Sequence, residues 1–273
     1  MITMRRVSLY CALAASARAA ELPGADDHAL PCRPTIACTA DLTPPGTFEI
    51  EFGYLLRRLA PSTWQHSTPL LLKLTTAEWL QLQVGTSGYV VGDDPKSSSY
   101  FDNVTLGSKF HLRDQTRGGP SISFSATVSV PTVSGQAGYV PTWAALFTLY
   151  VSKDIRWLHA DLNLGANLFR LEGVPLTQAF ATLALSTGLP HGVGLMLEAY
   201  GFTDANPFSS ADAGVLAAIC FQPRSWIVLD VGGDFGLVPA TRAGSLFAGI
   251  TFIPVVLWRR HQRSDLTTHE SKD

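Results

Sequence analysis

Leu158-His159-Ala160-Asp161-Leu162-Asn163-Leu164-Gly165-Ala166-Asn167-Leu168 alternates apolar and wet residues without a break. On an extended chain, Leu158, Ala160, Leu162, Leu164, Ala166 and Leu168 share one face, and His159, Asp161, Asn163, Gly165 and Asn167 share the other. Soluble strands usually run about 5–6 residues, whereas a tilted strand that crosses a bilayer needs about 9–11. The stretch has the longer length. It predicts a strand with one face against lipid and one against water.

The same device recurs from Thr47 onward. Phe48, Ile50, Phe52 and Tyr54 alternate with Glu49, Glu51 and Gly53, and Leu70, Leu72 and Leu74 flank an inward Lys73. Leu80, Leu82 and Val84 alternate with Gln81, Gln83 and Gly85. Val104, Leu106, Phe110 and Leu112 alternate with Thr105, Gly107, Lys109 and His111. Ile122, Phe124, Ala126, Val128 and Val130 alternate with Ser121, Ser123, Ser125, Thr127 and Ser129. Further strands are expected over Thr142–Ser152, Trp157–Arg170, Thr177–Leu189, Val193–Thr203, Ala211–Gln222, Trp226–Leu237 and Ala243–Ile253, which makes twelve. Gly232-Gly233-Asp234-Phe235-Gly236 falls inside the eleventh, where glycine lets a barrel wall bend.

The connections fall into two classes. Short ones follow the even strands, at Thr75–Glu78, Arg113–Gly119, Lys153–Arg156, Pro190–Gly192 and Pro223–Ser225. Longer ones, rich in Gly, Pro, Ser and Asp, follow the odd strands, at Leu59–Gln65, Gly92–Ser99, Thr132–Pro141, Glu172–Pro175 and Asp204–Ser210. Short periplasmic turns, long outer loops and an even strand count are the layout of a bacterial outer-membrane barrel. Three short turns end in tryptophan, at Trp79, Trp157 and Trp226, all on one rim. Tryptophan at headgroup level forms the aromatic girdle of such barrels.

Composition agrees. Charged residues make up 15% of the chain, against about 25% in ordinary soluble domains. The hydrophobic 46% is dispersed, with no run near the ~20 residues of a membrane helix. A net charge of -2 gives no case for nucleic acid. Residues 1–19 read as a signal peptide, with Arg5 and Arg6, an apolar stretch from Val7 to Ala17, and Ala17-Arg18-Ala19 at the cut. Residues 20–43 then form a periplasmic N-terminal segment that stays below the barrel or threads its lumen. Residues 44–258 form the barrel, and the polar residues 259–273 a disordered tail. Cys32 and Cys38 are spaced to bridge in an oxidising compartment. Cys11 would leave with the leader, and Cys220 reads as a small strand residue.

A soluble periplasmic β-sandwich also alternates apolar and polar residues. Its polar face usually carries Lys and Glu, whereas here that face is mostly Ser, Thr, Asn, Gln, Gly and His, with single charges. A confined wet lumen suits this pattern better. The expected fold class is therefore all-β, a closed antiparallel transmembrane barrel of about twelve strands.

Gly46-Thr47-Phe48-Glu49-Ile50-Glu51-Phe52-Gly53-Tyr54 resembles the first strand of the outer-membrane transporter family named for the MetA pathway of phenol degradation. Leu72 to Gly85 resembles that family's second hairpin, and Asp102 to Phe110 a following strand. The resemblance covers about Pro44 to Trp258. It implies a barrel porin or transporter with hydrophobic or aromatic compounds among its solutes, and it carries no catalytic residues.

The candidate site is the lumen lining: Glu49, Glu51, Lys73, Gln81, Gln83, Lys109, His111, His159, Asp161, Asn163, Asn167, Glu198, Asp230 and Asp234. Such residues either wet a passage and set its charge selectivity or pair with one another and plug a narrow barrel. Asp161, Asp230 and Asp234 predict an acidic wall, with Lys73, Lys109 and His111 as basic partners. Serine lacks a G-x-S-x-G context, and the in-strand histidines face inward, so catalysis is not expected. Phosphate-loop and metal-ligand spacings do not occur, so no cofactor or metal is expected. The expected partners are outer-membrane lipid and a small solute. The expected function is passive channel or transporter, with a plugged structural barrel as the alternative.

Overall fold

The computed structural model describes residues 21–59, 63–93, 99–133, 143–171, 173–204, 211–238 and 242–259. The expected leader and all of the tail except Arg259 lie outside the described residues. Twelve strands carry the fold. They are β1 (Thr47–Leu59), β2 (Leu70–Ala77), β3 (Leu80–Thr86), β4 (Val104–Arg113), β5 (Ser121–Val130) and β6 (Ala144–Ile155), then β7 (Leu158–Leu171), β8 (Val174–Gly188), β9 (Val193–Phe202), β10 (Asp212–Arg224), β11 (Ile227–Gly236) and β12 (Arg242–Val256). Each pairs antiparallel with the next. β1 also pairs antiparallel with β12, from Thr47 opposite Val256 to Leu59 opposite Arg242. Closure leaves the circuit of twelve strands without a free end, which is how strands satisfy their backbone in hydrocarbon. The fold is a closed barrel, so the soluble sandwich is excluded.

Burial is inverted relative to a soluble protein. The buried positions are mainly polar, among them Glu49, Glu51, Lys73, Gln81, Lys109, Asn163, Glu198 and Asp230. The outward positions of the same strands are exposed and apolar, including Leu106, Leu164, Leu183, Leu197, Ile219, Val231 and Leu246. Period-two alternation thus separates a wet inside from a greasy outside.

Three strands are longer than their alternation implies. Short pieces Thr63–Ser67, Tyr89–Gly92 and Tyr100–Phe101 extend β2, β3 and β4 toward the far rim. The breaks at Thr68-Pro69, Ser87-Gly88 and Asp102-Asn103 line up side by side. Hydrogen bonds tie them: Tyr89 N–H to Thr68 Oγ1 at 3.1 Å and Asp102 N–H to Gly88 O at 2.9 Å. The expected loops Leu59–Gln65 and Gly92–Ser99 are therefore partly strand.

The expected loop Glu172–Pro175 is corrected. Pairing between β7 and β8 runs on to Leu171 opposite Val174, so only two residues join them, and Gly173 takes a left-handed φ of 85°. A Gly and a Pro beside the turn gave the look of a loop, but backbone pairing continues through Pro175.

At the base rim, where β1 begins and β12 ends, Trp79 and Trp157 are 56% and 69% exposed. Trp226 differs from the girdle reading. It is half-buried and packs on Ala29, Val228, Ile253 and Val256 at the foot of the barrel.

Candidate functional site

The lumen holds the segment that precedes β1. The segment enters at the base, where Glu21 exchanges two backbone hydrogen bonds with Val256, at 2.9 and 2.8 Å. Arg259 closes this entrance with bonds to Glu21 at 2.9 Å and to Asp27 at 3.2 and 2.7 Å. Burial pushes the Asp27 carboxyl up, but the Arg259 guanidinium and the Gly24 amide outweigh it and hold its pKa below the ordinary 3.8.

Further in, charged wall residues grip the main chain of this segment. Glu49 accepts from Leu30 N–H at 2.8 Å. Glu51 accepts from Cys32 and Arg33 N–H at 2.9 and 3.2 Å. Between the two carboxylates stands Lys73, paired with Glu49 and, at 2.5 Å, with Glu51. Its ammonium also donates to Leu30 O at 2.7 Å, so its three donors have three acceptors. Glu198 accepts from Ile36 and Ala37 N–H at 2.8 and 2.7 Å and from Thr182 Oγ1 at 2.7 Å. Asn163, with its amide turned to match donors to acceptors, meets Cys38 N–H at 2.7 Å and Cys38 O at 3.0 Å. Lys109 donates to Thr39 O at 2.5 Å and lies 4.6 Å above the Tyr150 ring. Charge-assisted bonds of this kind are the stronger ones, and their number fixes the segment as a plug.

Plug side chains also reach into the wall, Asp41 to Ser121 at 2.5 Å and Thr43 to Thr75 at 2.7 Å, and Arg33 reaches furthest. The Arg33 guanidinium lies 3.5 Å from Asp230 and donates to Ala248 O at 3.2 Å. Gly53 and Gly249 stand opposite each other beneath it, and a Cβ on either would collide with the guanidinium. Cys32 and Cys38 are joined as a disulfide, their Cα atoms 4.5 Å apart.

The remaining candidates fall into smaller groups. Gln83 donates to Gln81 at 2.9 Å, and Gln81 to Thr75 at 3.1 Å. Asp161 accepts from Ser152 at 2.5 Å and lies 3.1 Å from His159. Ser152 in turn accepts from Ala40 N–H of the plug at 2.6 Å. Asp234 accepts from Tyr200 at 2.7 Å and Ser245 at 2.5 Å. The expected split into an acidic wall and basic partners is thus corrected. Lys73 pairs with glutamates on the neighbouring β1, Asp230 with Arg33 of the plug, Asp161 with Ser152 and His159, and Asp234 with Tyr200 and Ser245, because these are the groups within reach in the lumen.

Ser123, His111 and Asp114 form a hydrogen-bonded row, at 3.1 and 2.8 Å. Ser123 is wholly buried and donates to Ala40 O of the plug, so no substrate carbonyl can approach its hydroxyl. The row anchors the plug.

Above the plug, toward the far rim, lies a lumen cavity of about 490 Å³. Ile36 and Cys38 form its floor, and Gln83, Asn163, Asn167 and Gln178 with several Thr and Ser residues line its walls. Phe180 and Phe202 stack at 5.5 Å on one side, and Tyr150 faces in as well. Sequence reasoning missed these aromatics and Arg33. The inward glycines at 53 and 249 were the available signal for Arg33, and the inward parity of Tyr200 and Phe202 on β9 was the signal for the aromatic wall.

In comparisons with known proteins, no family model matches the chain, and no curated protein is similar to it in sequence. Among solved structures, an outer membrane channel from Pseudomonas putida F1 is similar in fold, with a TM-score of 0.55 at 11% identity, covering 85% of this chain and 100% of that one. The NanC porin is similar with a TM-score of 0.51 at 7% identity, covering 75% of this chain and 98% of that one. At these identities the likeness establishes the outer-membrane type of barrel fold.

Proposed function

We propose that this protein is an outer-membrane channel that passes small, uncharged, partly apolar solutes around its lumen plug. The observation that carries the reading is the cavity above the plug, whose lining has no charged side chain among the described residues while carrying aromatic faces and neutral amides and hydroxyls. Aromatic faces take an apolar ring, and amides and hydroxyls hydrogen-bond a neutral polar group. Most of the charged lumen candidates lie lower, around the plug, while Asp234 is held on the wall by Tyr200 and Ser245. An ion entering the cavity would leave bulk water and meet no countercharge among the described lining residues. The apolar outer wall places the barrel in lipid. The disulfide fits the oxidising side of the inner membrane, which residues 1–19 would reach as a leader. The stretches resembling the phenol-degradation transporter family lie on β1 to β4, beside the cavity and the plug seat. We assign the chain to that kind of transporter.

A second reading, a structural barrel with a permanent plug, is favoured by the density of bonds between plug and wall. Proteoliposome swelling separates the two. Phenyl glucoside and phenyl glucuronide share a shape and differ by one carboxylate. The channel reading expects the glucoside to enter at least fivefold faster. Equal entry of both contradicts the selectivity, and entry of neither supports the permanent plug.

A further inference from the structure

The disulfide does not tie the plug to the wall. It joins two plug residues six apart and closes the small ring Cys32 to Cys38 in mid-lumen. That ring grips the wall at several strands, three of them through charged wall partners. Cys32 and Arg33 amides meet Glu51 on β1, Ile36 and Ala37 amides meet Glu198 on β9, and the Arg33 side chain meets Asp230 on β11. A short ring holds these three groups at fixed spacing. Opening it frees the backbone between Cys32 and Cys38, and the three contacts must then be made by a loop with many more conformations. The bond is also reachable. Cys38 lines the 490 Å³ cavity, and both cysteines line a second cavity of about 270 Å³ beside Pro69, Leu70 and Thr86.

We infer that Cys32–Cys38 is a thiol-exchange site, and that its reduction by a small dithiol loosens the plug and enlarges the passage. The consequence for passage rests on the channel reading above; the loosening does not. In the first step a thiolate of the dithiol attacks Sγ of Cys38, the Cys32–Cys38 bond breaks, and its electron pair leaves on Cys32 Sγ, which takes a proton. The second thiol then attacks its own mixed-disulfide sulfur and releases Cys38 as a thiolate. The dithiol departs as a cyclic disulfide, having supplied two electrons, and the protein holds two thiols.

The test uses the full chain in a C11S/C220S background, folded in detergent, with dithiothreitol as the reductant. Mass spectrometry after alkylation counts the thiols, and gel mobility without boiling checks that the barrel stays closed. Amide exchange over residues 30–41 reads the plug directly, and planar-bilayer conductance reads the passage. The inference expects two alkylated thiols in a closed barrel, amide exchange over 30–41 at least tenfold faster with the strands unchanged, and conductance at least doubled. The C32S/C38S variant should show the fast exchange from the start and ignore dithiothreitol. Slow exchange despite two alkylated thiols would overturn the inference, as would a bond that resists reduction in the closed barrel. Faster exchange without a conductance gain would count against the channel reading and leave the thiol-exchange site standing.

Discussion

The Arg33 guanidinium lies 3.5 Å from the carboxylate of Asp230, over a slot in the barrel wall made by two facing glycines. The plug carries the cation and the wall carries the anion, and Gly53 and Gly249 supply the room. Both partners are largely removed from water. Arg33→Ala leaves Asp230 buried and uncompensated, and should destabilise the barrel by about 2–3 kcal/mol, near the low end for breaking a buried pair. Asp230→Asn in the same chain should recover most of the loss. Urea unfolding of the two single variants and the double variant gives the coupling, and additive losses would show that the pair does not interact.

Gly249→Val should loosen the plug while leaving the barrel closed. Valine suits a strand, so pairing of β12 with β1 and β11 should survive and the unboiled gel mobility should stay as in the wild type. Its side chain occupies the place of the Arg33 guanidinium, so the Arg33–Asp230 contact should break and the plug should loosen around Arg33. Proteinase K should then clip the chain between residues 21 and 43 while sparing the strands. Full protection of that segment in the variant would count against the slot.

Lys73 sits between two buried carboxylates on β1. Lys73→Met brings Glu49 and Glu51 together without a countercharge and should cost about 3–5 kcal/mol in unfolding free energy. The triple variant Lys73→Met, Glu49→Gln, Glu51→Gln should regain at least half of it. A triple variant no better than Lys73→Met would mean that the ammonium acts mainly through Leu30 O.

Asp27 and Arg259 latch the plug at the base. The Asp27 pKa is lower folded than unfolded, so the latch contributes fully above 3.8 and is lost as pH falls through the lower folded value. Pepsin, normalised to its rate on an unfolded reporter, should clip the segment around residues 21–29 faster at pH 2 than at pH 4.5. Asp27→Asn should be clipped equally at both. A wild-type rate that does not change with pH would remove Asp27 from the latch.

How much of this was legible in the sequence follows from what each contact uses. The alternation over Leu158–Leu168 was readable because lipid and lumen demand opposite side chains at every other position, and β7 runs from Leu158 to Leu171. The extensions Thr63–Ser67, Tyr89–Gly92 and Tyr100–Phe101 were not readable, because they are short and lack alternation. The inward polar residues could be named from parity alone. Their partners could not, because Glu49, Glu51, Glu198, Lys109 and Asn163 bind backbone groups of the plug, and a backbone amide leaves no mark on side-chain pattern. Arg33 is the exception, since the wall answers it with an aspartate and two glycines.

The most direct test of the central claim, a closed membrane barrel around its own N-terminal segment, is gel mobility of the detergent-folded protein with and without boiling. A closed barrel should migrate as a compact, faster species until boiled, and then shift to the position of its 29.4 kDa unfolded chain, or slightly below it if the leader has been removed. Identical mobility before and after boiling, in a protein that stays soluble without detergent, would contradict the account.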